Sequence, residues 1–169
     1  WDVHLYAQFA VTATENMITA SVLREGKTFI HLAAIEPHVM NLVDFLRSAG
    51  AKIEVRHDHT IEIEWVSALS QEAEFEVISD YIESGTFIVL GALCSRDYID
   101  IHKARINDLT IYLQKCREVG VTFDDLGNDV LRVYRSEKLK PLNIQTNIYP
   151  GFPTDLQSPF AILLTQADG

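Results

Sequence analysis

One carboxylate stands out because it precedes an apolar segment. Asp155 lies in the run Gly151-Phe152-Pro153-Thr154-Asp155-Leu156-Gln157, and the apolar residues Phe160 to Leu164 follow. Pro153 suits a helix start and Thr154 can cap a helix, so Asp155 is predicted in the first turn of a buried helix, at the rim of a core. A carboxylate there could be desolvated enough to accept a proton, although the helix dipole alone also favours an acid.

The run His57-Asp58-His59 contains side chains of the metal-ligand type. It falls at the predicted tip of a two-strand hairpin, where alternating side chains rarely converge on one ion, so a solvated tip is favoured and no metal is expected. The sequence contains no glycine-rich nucleotide motif or nucleophile elbow, and its Ser, His and Asp residues lack the spacing of a nucleophilic triad. No cofactor is therefore expected.

The composition narrows the class of protein further. The 24 acidic and 14 basic residues give a formal net charge of −10, and the scattered bases disfavour nucleic-acid binding. The longest apolar runs are shorter than the roughly 20 residues needed to span a bilayer, so no membrane association is expected. Cys94 and Cys116 lack C-x-x-C spacing, and both are predicted to be buried thiols from a reducing compartment.

An internal repeat indicates which elements hold these residues. Residues 3–66 can be laid over residues 74–135, with Gly50 matched to Gly120, and each half predicts the order β-α-β-α-β-β. The elements predicted for the first half are a strand from Val3 to Ala7, a helix from Thr14 to Glu25, a strand from Thr28 to Leu32, a helix from Pro37 with the apolar stripe Val39, Leu42, Val43 and Leu46, and a hairpin of Ile53/Val55 with Ile61/Ile63/Trp65.

The second half follows the same plan. Its predicted elements are a strand from Glu74 to Ile78, an apolar helix from about Ile82 to Cys94, a strand from Tyr98 to His102, an amphipathic helix from Asn107 to Val119 with Leu109, Tyr112, Leu113, Cys116 and Val119 on its apolar side, and a hairpin through Leu126-Gly127-Asn128. Leu142 to Asn147 and the helix at Pro153 would begin a third copy. The first helix of each unit is apolar nearly all round and is expected inside, where Gly85 and Gly91 permit the close approach of a neighbouring helix or a ligand.

Four motifs in a fixed order carry a resemblance to a known family: Thr14-Glu15-Asn16, Ala33-Ala34-Ile35-Glu36-Pro37, Ile82-Glu83-Ser84-Gly85-Thr86-Phe87 and Phe152-Pro153-Thr154-Asp155-Leu156-Gln157. Together with the repeat they resemble the UDP-N-acetylglucosamine enolpyruvyl transferases (1-carboxyvinyltransferases) over essentially all 169 residues. The resemblance implies an α/β (α+β) inside-out fold of two domains, each built from three β-α-β-α-β-β units, with the active site in the cleft between them.

The same resemblance implies where this chain belongs in that fold. Residues 1–67 would be the last unit of the first domain, and residues 68–169 would be the first unit and the start of the next unit of the second domain. The crossing would lie near Ser67 to Ile78. The chain, which starts at Trp1 and stops at Gly169, is therefore expected to be an internal fragment that is inactive alone.

The activity that the resemblance implies is transfer of the enolpyruvyl group from phosphoenolpyruvate to the 3-hydroxyl of UDP-N-acetylglucosamine, with release of phosphate. This is the first committed step of peptidoglycan synthesis, in the bacterial cytoplasm. The implied partners are these two substrates and the remaining segments of the same protein. Asp155 matches the family's catalytic aspartate, which contacts that hydroxyl, and the implied substrate-binding positions are Val11, Glu36, Tyr81 and Thr154. For Glu36 the alternative is an acid that serves only the helix start before Pro37.

Some positions depart from the family. A run like Lys-x-Ser-Val-Gly, which contacts the uridine nucleotide, here reads Gln8-Phe9-Ala10-Val11-Thr12 in a predicted strand and retains only Val11. Tyr81 replaces an arginine, although tyrosine could stack or donate a hydrogen bond. Positive potential for the anionic substrates would then come from absent segments or from Lys103 and Arg105.

These departures leave three alternatives open. One is an enzyme of altered specificity, another is a non-catalytic paralogue that acts as a binding module, and the third is an RNA-terminal-phosphate-cyclase-like protein. Retention of Asp155 argues against the binding module. The excess of acidic over basic residues and the F-P-T-D-L-Q run argue against the cyclase-like protein.

Overall fold

The computed structural model describes residues 1–70 and 72–168, which form two compact units divided between Ile78 and Ser79. Gln71 in the predicted crossing and Gly169 at the last position lie outside the described residues. Each unit has its own sheet, helices and buried apolar cluster, so the predicted mixed α/β class is confirmed. Within the described part of the chain, every helix is too short or too polar to cross a bilayer.

The first unit contains four strands and two helices among its described residues. They are β1 (Val3–Tyr6), α1 (Val11–Ser21), β2 (Lys27–His31), α2 (Pro37–Ser48), β3 (Lys52–Val55) and β4 (Ile61–Glu64). The strand order is β1-β2-β4-β3, with β1 parallel to β2 and the other pairs antiparallel. Alternate residues such as Ile30, Ile61 and Ile63 point into the core that the helices cover.

Helix α2 agrees with its sequence pattern. Pro37 occupies a first-turn position, where its missing N–H leaves no hydrogen bond unmade, and Gly50 follows the helix with a φ of +99°. Val39, Val43 and Leu46 are buried, so the predicted apolar stripe is confirmed.

The start of α1 differs from the prediction. Gln8 and Phe9 have left-handed φ angles of +52° and +58°, and the Phe9 N–H donates to the Leu32 carbonyl oxygen at 2.6 Å. The chain therefore turns after β1, and the strand predicted over residues 8–12 is wrong. Val11 is instead the first residue of α1, which also ends earlier than predicted, at Ser21.

The second unit contains three strands and three helices among its described residues. They are α3 (Tyr81–Cys94), β5 (Tyr98–Ile101), a 3-10 turn (Ile106–Leu109) before α4 (Thr110–Val119), β6 (Phe123–Asp125), β7 (Leu131–Tyr134), and a 3-10 turn (Thr154–Leu156) before α5 (Gln157–Leu164). The strand order is β5-β7-β6, and both pairs are antiparallel. The predicted apolar side of α4 is confirmed, because Tyr112, Leu113, Cys116 and Val119 are buried.

Two predicted strands are wrong. Glu74 to Ile78 makes no strand pairing among the described residues. Instead, the Phe75 ring packs 5.6 Å from the Phe45 ring, and the Ile78 N–H donates to Asn41 Oδ1 at 3.4 Å. Both contacts attach this segment to α2. Residues 142–147 also form no strand, and the Asn147 N–H instead donates to the Phe152 carbonyl oxygen at 2.9 Å. A strand needs a ladder partner, which a propensity pattern does not provide.

Helix α3 is not buried all round, contrary to the prediction. Its face Glu83, Phe87, Leu90 and Cys94, here called the outer stripe, is exposed, with Phe87 and Leu90 each 48% accessible. The opposite face, which includes Ile88 and Ala92, is fully buried. Cys94 is therefore an exposed thiol instead of a core thiol, whereas Cys116 is buried as predicted.

Candidate functional site

Asp155 lies in the 3-10 turn Thr154–Leu156 that leads into α5. Its neighbours Phe152 and Leu156 are 3% and 0% accessible, so the turn borders the core as predicted. The side chain of Asp155 itself is exposed, as is that of Thr154. The described residues therefore leave this carboxylate in water, and the expectation that they desolvate it is wrong.

Buried side chains on both sides hold this turn. The Phe152 ring lies 5.3 Å from the Tyr112 ring and 5.2 Å from the Phe160 ring, and both contacts are tilted or edge-on. The Leu156 N–H donates to the Pro153 carbonyl oxygen at 3.2 Å, which closes the turn. Aromatic contacts of this kind add to the burial of the rings, so the backbone that carries Asp155 is firmly supported.

Leu156 reaches the core by packing against the backbone of α3. A Cβ atom added to Gly85 would lie 2.6 Å from both Cδ atoms of Leu156 and 3.2 Å from its Cγ. Gly91 makes a similar approach to Ile99 and Val133 of the sheet. Gly85 thus permits the close approach of a helical turn, which confirms one of the two uses predicted for it, whereas Gly91 packs on strands instead of a helix.

Gly85 is also held from a second side. The Tyr112 hydroxyl donates a hydrogen bond of 3.0 Å to the Gly85 carbonyl oxygen. Burial raises the pKa of Tyr112, so its hydroxyl keeps the proton that it donates. The sequence pattern identified Tyr112 only as part of an apolar stripe. The spacing of residues within one helix does not indicate a hydrogen-bond partner on another helix, here Gly85 of α3.

Tyr81 begins α3 and is only 4% accessible. Its ring meets the Tyr149 ring edge-on with 6.3 Å between the centroids, and the Tyr149 hydroxyl lies 3.3 Å from Asp108 Oδ1. Asp108 also accepts a hydrogen bond from Arg105 Nε at 2.6 Å. Tyr81 is thus packed in the core of the second unit, and its contact with a substrate stays a prediction.

A surface pocket of about 300 Å³ opens beside the first half of α3. The residues that line it are Ser79, Asp80, Glu83, Ser84, Phe87, Ile99, Asp100, Ile101, His102 and Lys103. Asp80 Oδ1 accepts a hydrogen bond from the Ile82 N–H at 2.7 Å, so this carboxylate caps the helix. Of the two cations predicted to attract anionic substrates, Lys103 lines this pocket and Arg105 is paired with Asp108.

In the first unit, Val11 is the first residue of α1 and Glu36 directly precedes α2. Thr14, which is fully buried, links the start of α1 to the segment that precedes α2: its hydroxyl donates to the Ala10 carbonyl oxygen and accepts from the Ala34 N–H, both at 2.9 Å. Thr14 belongs to the Thr-Glu-Asn motif, but the motif alone did not indicate this linking role. Glu36 Oε2 is buried and has no hydrogen-bond partner within the described part of the chain.

The histidine run does not form a ligand cluster. His59 Nδ1 lies 3.0 Å from the Ala33 carbonyl oxygen, while His57 and Asp58 are exposed. Among residues 1–70 and 72–168, no group of three or more His, Cys, Asp or Glu side chains is placed to hold a metal ion.

Comparison with protein families gives one match along nearly the whole chain. The model described as EPSP synthase (3-phosphoshikimate 1-carboxyvinyltransferase) matches residues 2–169.

Curated relatives carry a related name. The UDP-N-acetylglucosamine 1-carboxyvinyltransferase of Thermodesulfovibrio yellowstonii is 38% identical over 159 residues, which are 94% of this chain and 38% of the relative. That of Lactobacillus johnsonii is 41% identical over 158 residues, covering 94% and 37%. UDP-N-acetylglucosamine 1-carboxyvinyltransferase 2 of Bacillus subtilis is 39% identical over 162 residues, covering 95% and 37%. The chain thus spans less than two fifths of the length of these relatives.

Solved structures agree on the fold. The enolpyruvyl transferase NikO from Streptomyces tendae matches with a TM-score of 0.87 at 22% identity, over 99% of this chain and 42% of that one. An EPSP synthase from Acinetobacter baumannii matches with a TM-score of 0.53 at 16% identity, over 90% and 34%. At these identities the similarity supports the fold alone.

Proposed function

Because the chain belongs to the EPSP synthase (3-phosphoshikimate 1-carboxyvinyltransferase) family, we propose that the complete protein transfers the enolpyruvyl group of phosphoenolpyruvate to the 3-hydroxyl of UDP-N-acetylglucosamine. The observation that carries the choice of acceptor is the name shared by relatives that are 38–41% identical over more than nine tenths of this chain. The reaction would be the first committed step of peptidoglycan synthesis, in the bacterial cytoplasm.

The chemistry assigns a role to Asp155. The sugar oxygen forms a bond to C2 of phosphoenolpyruvate, the bond from C2 to the phosphate oxygen breaks, and the hydroxyl proton must leave. Asp155 would accept that proton, a role that contributes about 10²- to 10⁴-fold to a rate. Its exposure supports this role because a substrate can reach the carboxylate, and the buried side chains of Phe152 and Leu156 keep its backbone in place.

The proposed substrate-binding residues are those that the family resemblance implies. Thr154 precedes Asp155 in the same turn, Tyr81 begins α3, and Val11 and Glu36 occupy the helix starts of the first unit. Both substrates are anionic and the chain carries a net charge of −10, so Lys103, Arg105 and residues of other segments would supply positive potential. The proposed reaction needs no cofactor, nucleic acid or membrane.

The remaining segments of the same protein would complete the fold. In this proposal residues 1–67 end the first domain and residues 68–169 begin the second. The outer stripe of α3 supports the proposal, because the half-exposed Phe87 and Leu90 would be covered by further repeats of that domain.

The test uses the complete protein with phosphoenolpyruvate and one acceptor at a time. Phosphate release with UDP-N-acetylglucosamine, accompanied by a product that carries an added enolpyruvyl group, is the expected result. Shikimate 3-phosphate is the matched control, because the family model bears the name of the enzyme that uses it. Release with shikimate 3-phosphate alone would contradict the proposed acceptor, and release with neither would favour the non-catalytic paralogue.

A further inference from the structure

We propose that Gly85 is a positioning residue for Asp155: the missing side chain at position 85 lets Leu156 pack on the backbone of α3, and this contact sets where the Asp155 carboxylate stands. The inference rests on the proposed function, because it concerns the residue that would accept the proton. Gly85 itself touches neither substrate nor reacting atoms in this scheme. Its effect would be exerted through Leu156 and the turn Thr154–Leu156.

The contact between Gly85 and Leu156 leaves no room for a methyl group. Real Cβ atoms do not approach other carbon atoms as closely as 2.6 Å, and a Cβ at position 85 would meet both Cδ atoms of Leu156 at that distance. Leu156 is completely buried, and protein interiors are packed as densely as organic crystals. An alanine at position 85 would therefore push Leu156 away from α3.

A displacement of Leu156 would be passed to Asp155. The two residues are adjacent in a 3-10 turn that is closed by the hydrogen bond between the Leu156 N–H and the Pro153 carbonyl oxygen. Gly85 is held in place by the hydrogen bond from Tyr112. The atoms that the new Cβ would strike belong to the side chain of Leu156, so Leu156 is the residue that must shift, and in this proposal Asp155 shifts with it.

The experiment compares two alanine variants of the complete protein. Gly85→Ala introduces the clash with Leu156. Gly91→Ala is the matched control, because it lies on the same helix and its Cβ would lie 2.7 Å from Ile99 Cγ1, a similar crowding directed at the sheet and away from the Asp155 turn. Crystal structures of both variants would give the displacement of Asp155, and steady-state kinetics with melting temperatures would give its consequence.

We expect Gly85→Ala to displace Asp155 and to lower kcat by about 10- to 100-fold, since a shift of about 1 Å in a reacting group has effects of that size. The KM for the sugar nucleotide should change by less than about threefold, because the variant alters placement of the base more than ground-state binding. Gly91→Ala should change the melting temperature by a similar amount while leaving Asp155 in place and kcat within about threefold of the original.

A double variant tests the coupling of the two residues. Leu156→Ala removes the packing that holds the turn and also the methyl groups that the new Cβ would strike, so it should lower kcat in the original protein and lower it much less in the Gly85→Ala background. In the Gly91→Ala background the leucine substitution should cost as much as it does alone, because residues 91 and 156 share no contact in this scheme. Non-additivity confined to the first pair is the signature of direct coupling.

The outcomes separate this inference from the proposed function. An unmoved Asp155 in the Gly85→Ala crystal, or an equal loss of kcat in Gly91→Ala, would overturn the positioning role. Absence of phosphate release by the unaltered complete protein would overturn the proposed function instead. The crystallographic displacement would still decide in that case whether Gly85 sets the place of Asp155.

Discussion

The Tyr112 hydroxyl donates a hydrogen bond of 3.0 Å to the Gly85 carbonyl oxygen, and this bond joins α4 to α3 within the core of the second unit. Both residues are buried, so water cannot replace the bond if it is lost. The pair connects the two helices at the same position where Leu156 packs on α3.

Tyr112→Phe tests this bond directly. A buried hydrogen bond contributes about 1 kcal/mol, so the variant should lower the free energy of unfolding by about that amount. Urea unfolding of the complete protein would measure the change. Tyr98→Phe is the control, because the Tyr98 side chain is 48% accessible and its hydroxyl can bind water. Equal losses of unfolding free energy in the two variants would contradict a specific stabilising contribution of the Tyr112 hydrogen bond.

Asp155→Asn tests the proposed base. In the complete protein it should lower kcat by about 10²-fold or more, because it removes the proton acceptor and almost no volume. Binding of the sugar nucleotide and the melting temperature should change little, because the side chain is exposed. If Asp155 serves only the helix start, the melting temperature would fall and turnover per folded molecule would be unaltered.

The 169-residue chain alone should release no phosphate above background from phosphoenolpyruvate and UDP-N-acetylglucosamine. The chain spans less than two fifths of the length of its relatives, and its net charge of −10 repels both anionic substrates. Isothermal titration calorimetry should likewise detect no micromolar binding of the sugar nucleotide. Turnover or tight binding by the purified chain would refute this prediction.

The two cysteines should differ in reactivity. Cys94 lies on the outer stripe of α3 and is exposed in this chain, whereas burial raises the pKa of Cys116 to about 12 and keeps it a protonated thiol near neutral pH. Iodoacetamide should therefore modify Cys94 of the chain first, and Cys116 only after unfolding.

The same reagent tests the proposed cover of the outer stripe. In the complete protein, further repeats should protect Cys94, so peptide mass spectrometry should find slow modification there. Cys94→Ser identifies the signal of each thiol. Equally fast modification of Cys94 in the chain and in the complete protein would contradict the proposed cover.

The ion pair between Asp100 and Arg132 should make the stability of the folded protein depend on pH in the acidic range. Arg132 donates two hydrogen bonds to the carboxylate, at 2.7 and 2.8 Å, and these hold the pKa of Asp100 below its ordinary value. A carboxyl group with a lowered pKa in the folded state contributes stability above its unfolded pKa of about 3.9, and that stability is lost as the pH falls through the folded value.

Asp100→Asn should consequently reduce the melting temperature at pH 7 and flatten its decline below about pH 4. Asp97→Asn removes an exposed carboxylate three residues away and serves as the control. Identical acid profiles for the two variants would show that the Arg132 pair does not contribute.

The sequence predicted best the helices whose apolar residues are spaced along one buried face. The stripes of α2 and α4 follow the helical period because one face of each meets a core, and both were confirmed. The resemblance likewise predicted the family and the fold class. The strand predicted over Glu74 to Ile78 failed, because pairing depends on a neighbour that the pattern of one segment does not contain.

The sequence predicted where Asp155 lies along the chain relative to the helix, but it did not predict that the Asp155 side chain is exposed. The position of Asp155 at the start of a helical segment was predicted from Pro153 and Thr154, yet its exposure depends on which residues of the turn face the core. The partner of Gly85 is Leu156, far along the chain, so a single sequence indicated close packing without identifying what packs there. The first gap is local and concerns the facing of side chains in one turn, whereas the second comes from the distance in sequence between two residues in contact.

The half-exposed Phe87 and Leu90 on α3 bear on whether the proposed repeats could be lost one at a time. Large exposed apolar side chains tend to be covered by a partner surface. If further repeats of the same protein cover them, as proposed, deletion of a covering repeat would expose these side chains to water again. The number of repeats would then be hard to reduce by deletion.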